Sequence, residues 1–228
     1  MATQSSPNSR VIAIGDIHGC DTAFHTLLEG IELQVEDTLV ILGDVIDRGP
    51  GSRTVLDLLL ELREQCQLTC ILGNHEQMLL DVVDGKMPLR QWLGFGGEET
   101  LDSYQKDGTL GSFSEQHFDW IRTWGDYYET EEHFFAHGNF QPKIDLGEQA
   151  WEEMRWLSLH QYSPGPHKSG KRAVLGHTSN KAGKIVDAGH LVCIDTYCHG
   201  GGWLTALEAR TGHVWQANES GEMRQKKL

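Results

Sequence analysis

Apolar positions along the chain follow two different periods, and the switch between them outlines the fold. Val11-Ile12-Ala13-Ile14 is a β-prone run that ends at Gly15. Phe24, Leu27, Leu28 and Ile31 then recur at the i, i+3, i+4, i+7 spacing of an amphipathic helix. Thr38 to Leu42 reads as a second strand closed by Gly43. Val55, Leu58, Leu59 and Leu62 form a second helical stripe, with Ser52 placed as its N-cap. Leu68 to Leu72 is a third strand, closed by Gly73. This β-α-β-α-β order predicts a parallel sheet covered by helices. Residues 97–132 read as helical, acidic and loop-rich. Strand-like runs follow at His133–Ala136, Ala173–Leu175, Leu191–Ile194, Trp203–Glu208 and His213–Ala217. The expected class is a layered α/β protein with two sheets. No repeat or linker divides it, so residues 10–220 are expected as one domain, with flexible ends at 1–9 and 221–228.

Composition narrows the setting. The chain has 228 residues, 23% of them charged, with a formal net charge of −14. Such a balance argues against a nucleic-acid partner, because phosphate backbones attract basic surfaces. No apolar run approaches the roughly 18 residues of a membrane span, so no membrane association is expected. Met1 to Arg10 lacks the apolar centre of a secretory signal. Five cysteines without a Cys-x-x-Cys pair fit reduced thiols. A cytoplasmic location is expected. The charge is uneven: residues 1–153 carry 28 acids and 9 bases, whereas residues 154–228 carry 5 acids and 10 bases. The stretch from Arg155 to Val186 holds no acid. Its Lys168, Lys171, Arg172, Lys181 and Lys184 flank His177. They read either as a solvated face or as help in receiving an anionic substrate.

Chemistry collects where the strands end. The three strands run into Gly15-Asp16-Ile17-His18-Gly19, Gly43-Asp44-Val45-Ile46-Asp47-Arg48-Gly49 and Gly73-Asn74-His75-Glu76. In a parallel sheet these ends lie along one edge, so the clusters converge. Carboxylate, imidazole and carboxamide together suit divalent metals such as manganese, iron or zinc. Singly, each motif reads more readily as a turn or a cap; their joint occurrence points to a site. His137 and His177 stand at two later strand ends.

These motifs, with His137-Gly138-Asn139, Gly176-His177-Thr178 and Ile194-Asp195-Thr196 in the same order, resemble the phosphoprotein phosphatase branch of the calcineurin-like metallophosphoesterases. Length and Gly96-Gly97-Glu98-Glu99-Thr100-Leu101 look most like the small bacterial and phage Ser/Thr-type members. The resemblance implies a two-sheet β-sandwich flanked by helices. It also implies two divalent metals, with manganese expected and iron, zinc or nickel compatible. Asp16 and His18 would hold the first metal, Asp44 would bridge, and Asn74, His137 and His177 would hold the second. In that scheme a hydroxide on the metals attacks phosphorus in line. His75 is the general acid, oriented and kept protonated by Asp47, and Arg48 grips phosphate oxygens bidentately.

Two departures stand out. The Trp-x-Arg segment of many relatives is Trp156-Leu157-Ser158 here, which leaves Arg155 as the candidate second phosphate-binding arginine. Tyr197 stands where Asp-Thr-Gly is expected; Tyr197, His199 and Trp203 are placed at the pocket rim, and Asn74 and Tyr197 are expected to contact the substrate phosphate together with Arg48 and Arg155. Gly165 to Lys171 spells a P-loop but continues with Arg172 rather than Ser or Thr, and no strand precedes it. No cysteine is followed by an arginine six residues on, which excludes a Cys-x5-Arg phosphatase. The expected activity is metal-dependent phosphomonoester hydrolysis by a Ser/Thr, or dual-specificity, protein phosphatase. The expected partner is a phosphorylated protein or a small phosphoester. Symmetrical hydrolysis of dinucleoside polyphosphates is the alternative, and a non-catalytic, metal-holding phosphoprotein scaffold is the remoter one. No feature fixes an oligomeric state, and a monomer satisfies these expectations.

Overall fold

Alternate residues of the central strands face two different cores, which fixes a four-layer arrangement of helices, sheet, sheet and helices. In this computed structural model, which describes residues 9–104, 111 and 113–228, the first sheet begins with β1 (Val11–Ile14), β2 (Thr38–Ile41) and β3 (Gln67–Cys70). These are parallel, and their connections carry α1 (Asp21–Ile31) and α2 (Ser52–Leu62). α3 (Asn74–Val83) follows directly. The second sheet is built around β5 (His133–Ala136), β6 (Arg172–Leu175) and β8 (Leu191–Cys193), also parallel. Its edges are β4 (Tyr127–Glu129) and β7 (Val186–Asp187).

Ala13, Val40, Phe135, Val174 and Val192 point inward and pack the two sheets together. Ile12, Ile14, Leu39 and Ile41 point outward, onto the core shared with Phe24, Leu27, Val55, Leu59 and Leu79 of the helices. Phe134, Ala173, Leu175 and Leu191 do the same on the far face, against Phe140 and Met154. Burial on both faces explains why these strands read as continuous apolar runs.

The first sheet continues antiparallel through β9 (Leu204–Glu208), β10 (His213–Ala217) and β11 (Met223–Lys227), in the order β11-β10-β9-β1-β2-β3. β11 corrects the expectation of a flexible end at 221–228. Its anchor is Met223, whose side chain lies in the space that the missing Cβ of Gly30 leaves on α1. The rest of the strand, Arg224 to Lys227, is polar and charged, a composition that suits an exposed sheet edge. Residues 1–8 of the expected flexible N-terminus lie outside the described residues. Ser52 is also corrected: Gly51 holds the cap position, and Ser52 is the first residue of α2. Its hydroxyl turns inward, accepting from the Asp47 N–H at 3.1 Å and bonding Thr100 Oγ1 at 3.1 Å. Among the described residues no helix is long and apolar enough to cross a membrane.

Candidate active site

Six parallel strands deliver one residue each to the same edge of the sandwich. Asp16, Asp44 and Asn74 follow β1, β2 and β3, and His137, His177 and Asp195 follow β5, β6 and β8. The backbone there is unusual. Of seven non-glycine residues with positive φ among the described residues, His18, Asp44, Asp47, Arg48, His177 and Tyr197 all belong to this edge. A left-handed backbone at such residues costs about 1–3 kcal/mol each and collects where function requires it.

Asp44 sits at the centre. Its Oδ2 lies 3.6 Å from His18 Nε2, and its Oδ1 lies 3.4 Å from His137 Nε2. Oδ1 also accepts the His75 N–H at 3.0 Å. One carboxylate thus addresses both halves of the cluster, as a bridging ligand must. The loop carrying it is shaped by Glu76, a buried residue to which the sequence reading gave no role. Glu76 Oε2 accepts from the N–H of Asp44 (2.9 Å) and Gly73 (3.1 Å), and Oε1 from Val45 (2.8 Å) and Ile46 (3.2 Å). Burial, reinforced by the Asp44 charge, pushes the Glu76 carboxyl up to about 7.

Each imidazole is oriented by a carbonyl. His18 Nδ1–H donates to Ile46 O (2.9 Å), and His137 Nδ1–H donates to Leu42 O (2.7 Å). Both therefore present an Nε2 lone pair to the cluster. His177 is turned round: Nε2–H donates to Trp156 O (3.0 Å), which leaves Nδ1 as its ligand atom. His177 N–H donates to both oxygens of Asp16, at 3.0 and 3.1 Å. Burial, with the nearby His137, lowers the His177 imidazole to about 4, which keeps it neutral.

The donor set fits a divalent cation. His137 Nε2 lies 3.0 Å from Asn74 Oδ1 and 3.4 Å from Asp44 Oδ1. With Nδ1–H committed to Leu42, the neutral ring faces two oxygen acceptors with a third acceptor, so a positive species belongs among them. The chain alone answers by protonation: burial opposes it, yet Asp44, Asp16 and Glu76 raise His137 to about 10. Ligand atoms of Asp44, His137 and His177 come within 4.8 Å of one another, and so do those of His18, Asp44 and His75. Asp16 and Asn74 stand beside the same centre, through His177 and His137 respectively.

His75 stands beside these donors, its Nε2 4.0 Å from Asp44 Oδ2. Its Nδ1–H donates to Asp47 Oδ2 at 2.7 Å, and its ring meets His18 edge-on at 4.7 Å. Burial would lower the imidazole, but Asp44 and Asp47 outweigh it and raise its pKa. The Asp47 carboxylate is fully buried and held by the Trp92 indole N–H on Oδ2 (2.8 Å) and by Thr100 Oγ1 on Oδ1 (2.7 Å). Trp92 is not singled out by the sequence, and Thr100 stands there only as part of the Gly96 to Leu101 run, with no role of its own. The signal was the Gly96-Gly97 pair. A Cβ on Gly97 would lie 2.5 Å from the Trp92 indole, and one on Gly96 2.6 Å from the Arg48 nitrogen. Gly96 O accepts that Arg48 N–H at 3.0 Å. Arg48 then extends over the cluster, its Nη1 donating to His18 Nε2 at 2.9 Å.

Two expectations about basic residues are revised. Arg155 donates through Nε to Asp126 (2.6 Å) and through Nη1 to Gln77, and it stacks over Trp151. None of these contacts is with a cluster residue, because the helix carrying Arg155 turns its side chain toward α3. Lys168, Lys171 and Arg172 pair with Asp145 (2.7 Å), Glu129 (2.8 Å) and Asp187 (2.8 Å). Lys171 and Arg172 lie at the start of β6, the end away from His177. Lys181 does reach the rim, over the Tyr197 ring at 5.9 Å. Tyr197 meets His199 at 4.9 Å, and His199 meets His18 at 4.7 Å. Trp203 stacks under Arg224 at 3.9 Å.

A two-sheet sandwich whose parallel strand ends gather carboxylate, imidazole and carboxamide donors around one bridging aspartate defines a metal-dependent phosphoesterase. Residues 9–205 match the calcineurin-like phosphoesterase family, and the chain belongs to it. It is 30% identical over 207 residues to "Serine/threonine-protein phosphatase 1" of Salmonella typhimurium, covering 86% of this chain and 89% of that one. It is 33% identical over 139 residues to "Bis(5'-nucleosyl)-tetraphosphatase, symmetrical" of Nitrosomonas europaea. That match covers 60% of this chain but only 47% of the relative, so the chain spans about half its length. Among solved structures, a candidate diadenosine tetraphosphatase aligns at TM-score 0.70 with 20% identity, covering 100% of this chain and 96% of that one. A cold-active protein-tyrosine phosphatase of a Shewanella species aligns at 0.64 with 16% identity, covering 97% and 83%. Both structures share the fold.

Proposed function

We propose that the chain is a metal-dependent phosphomonoesterase acting on phosphoserine and phosphothreonine in proteins, with phosphotyrosine as a second substrate in the dual-specificity case. The observation that carries the reaction is the His75–Asp47 pair. It is a buried imidazole with raised pKa whose Nδ1–H is engaged by Asp47 and whose Nε2 faces the donor cluster, and we assign it proton donation rather than metal binding. Asp16, His18, Asp44, Asn74, His137 and His177 would hold two divalent ions, manganese by preference. Bound there, they would supply an activated water and neutralise phosphoryl oxygens. His75 delivers its proton to the departing alkoxide. Asp47 keeps the ring in the tautomer that points Nε2 outward, and Trp92 and Thr100 fix Asp47. Arg48, exposed at the mouth, binds phosphoryl oxygens with its planar fork.

The substrate class rests on correspondence over nearly the whole length. The Salmonella phosphatase matches over most of both chains, whereas the Nitrosomonas tetraphosphatase is about twice the span of its match. Symmetrical dinucleoside tetraphosphate hydrolysis is the second reading, favoured by the number of such relatives and by the end-to-end fold match. A parallel assay separates the two. With manganese supplied, phosphoserine and phosphothreonine peptides are expected to be turned over with higher kcat/KM than diadenosine tetraphosphate. The reverse order would overturn the protein-phosphatase reading and support the second.

A further inference from the structure

Behind the candidate active site lies a second group of donors of different chemical character. Cys20 and Cys198 are both buried, at 1% and 3% exposure, and their sulfurs stand with a carboxylate oxygen of Glu219, all within 4.8 Å of one another. The three come from separate parts of the chain. Cys20 precedes α1, Cys198 lies in the turn between β8 and β9, and Glu219 lies in the turn between β10 and β11. Glu219 is held in place because one carboxylate oxygen accepts the Ala23 N–H at 2.9 Å, and it is exposed to solvent.

We propose that Cys20, Cys198 and Glu219 form a binding site for a thiophilic divalent cation such as zinc. Tetrahedral zinc binds thiolates at about 2.3 Å and carboxylate oxygen at about 2.0 Å, which sets ligand atoms roughly 3.5 to 4 Å apart. The ligand atoms all lie within 4.8 Å of one another, so only a small contraction would bring them to that spacing. Two thiolates select zinc over manganese or magnesium, whereas the oxygen and imidazole donors around Asp44 do not. The two centres therefore sort metals by softness. Three protein ligands leave the fourth position to water, and exposed Glu219 marks the entrance.

Position gives this site a consequence. Cys20 is two residues beyond His18, and Cys198 lies between Tyr197 and His199. A cation held there ties the first candidate-ligand loop to the rim turn, whose His199 ring already meets His18 at 4.7 Å. Occupancy fixes the rim without touching the Asp44 centre.

Cobalt(II) titration of the full-length protein tests this, because only a thiolate ligand gives the near-ultraviolet sulfur-to-cobalt charge-transfer band. The expected result is one equivalent of band-forming cobalt, displaced by zinc. The band should weaken in Cys20→Ser and in Cys198→Ser, vanish in the Cys20→Ser/Cys198→Ser double variant and persist in Asp44→Asn. Glu219→Gln, a surface change, should keep the band but weaken cobalt binding at least the roughly tenfold that loss of an outer-sphere partner costs. No band in the native protein, or a band of native intensity in Cys198→Ser or in the double variant, overturns the proposal.

Discussion

His75 and Asp47 are joined by one hydrogen bond, from Nδ1–H to Oδ2 at 2.7 Å, inside a pocket that leaves the carboxylate fully buried. Bound cations would neutralise much of the Asp44 charge, and Asp47 would remain the carboxylate that supports a protonated ring. The raised pKa means that the acid form persists to higher pH and is lost as pH rises through it. Asp47→Asn removes that support, so the alkaline limb of the kcat profile should move to lower pH. His75→Asn should cut kcat by about 10²–10⁴-fold, the usual share of a general acid. A pH–rate series on both variants checks this; an unmoved limb in Asp47→Asn would contradict it.

The second prediction concerns the glycines that shape the pocket behind Asp47. Gly97→Ala would put a Cβ 2.5 Å from the Trp92 indole, whereas nothing lies within 4 Å of the corresponding position at Gly94. Overpacking of this kind costs about 1–3 kcal/mol. Thermal unfolding should therefore show Gly97→Ala clearly destabilised and Gly94→Ala unchanged or slightly stabilised. Equal Tm values would mean that the indole is not confined as described.

Arg48 and Arg155 should separate function from stability. Arg48→Ala removes the guanidinium at the mouth and should raise KM for phosphoesters with little change in Tm. Arg155→Ala breaks the contacts with Asp126, Gln77 and Trp151 and should lower Tm while leaving KM close to native. A raised KM in Arg155→Ala would restore that residue as a phosphate ligand.

Much of this site was legible in sequence because its donors follow strands directly. Glycine beside Asp16, Asp44, Asn74, His137 and His177 flagged sharp turns, and parallel order placed those turns on one edge. The supporting residues were not legible. Trp92 and Thr100 reach Asp47 from a helical segment some 45 to 53 residues away, and no local period marks an indole as a hydrogen-bond donor. Glu76 looked like part of a ligand motif, yet its role is to hold four backbone N–H groups. Arg155 misled because charge was visible and its partners, Asp126 and Gln77, were not. β11 was hidden in a polar run whose single apolar residue, Met223, finds its place only through the absent side chain of Gly30.

Acid sensitivity should trace partly to Asp37. This carboxylate is 2% exposed; burial alone would raise its pKa, but hydrogen bonds from Arg10 and from the Gln34 N–H outweigh that and lower it. Arg10 Nη2 lies 2.5 Å from Asp37 Oδ2. A depressed folded pKa contributes stability above the unfolded value of about 3.9 and loses it as pH falls through the folded value. Asp37→Asn should therefore lower Tm at neutral pH, with the gap to native closing below about pH 4. A gap that persists at low pH would assign the effect to packing.

Metal stoichiometry measured beside turnover bears most directly on the central claim. Chelated protein re-equilibrated with manganese should bind two ions in the Asp44 cluster and hydrolyse a simple phosphomonoester. His75→Asn should keep both ions and lose turnover, and Asp44→Asn should lose metal and turnover together. A His75→Asn protein that works as fast as native, or an Asp44→Asn protein that holds manganese unchanged, would contradict the account.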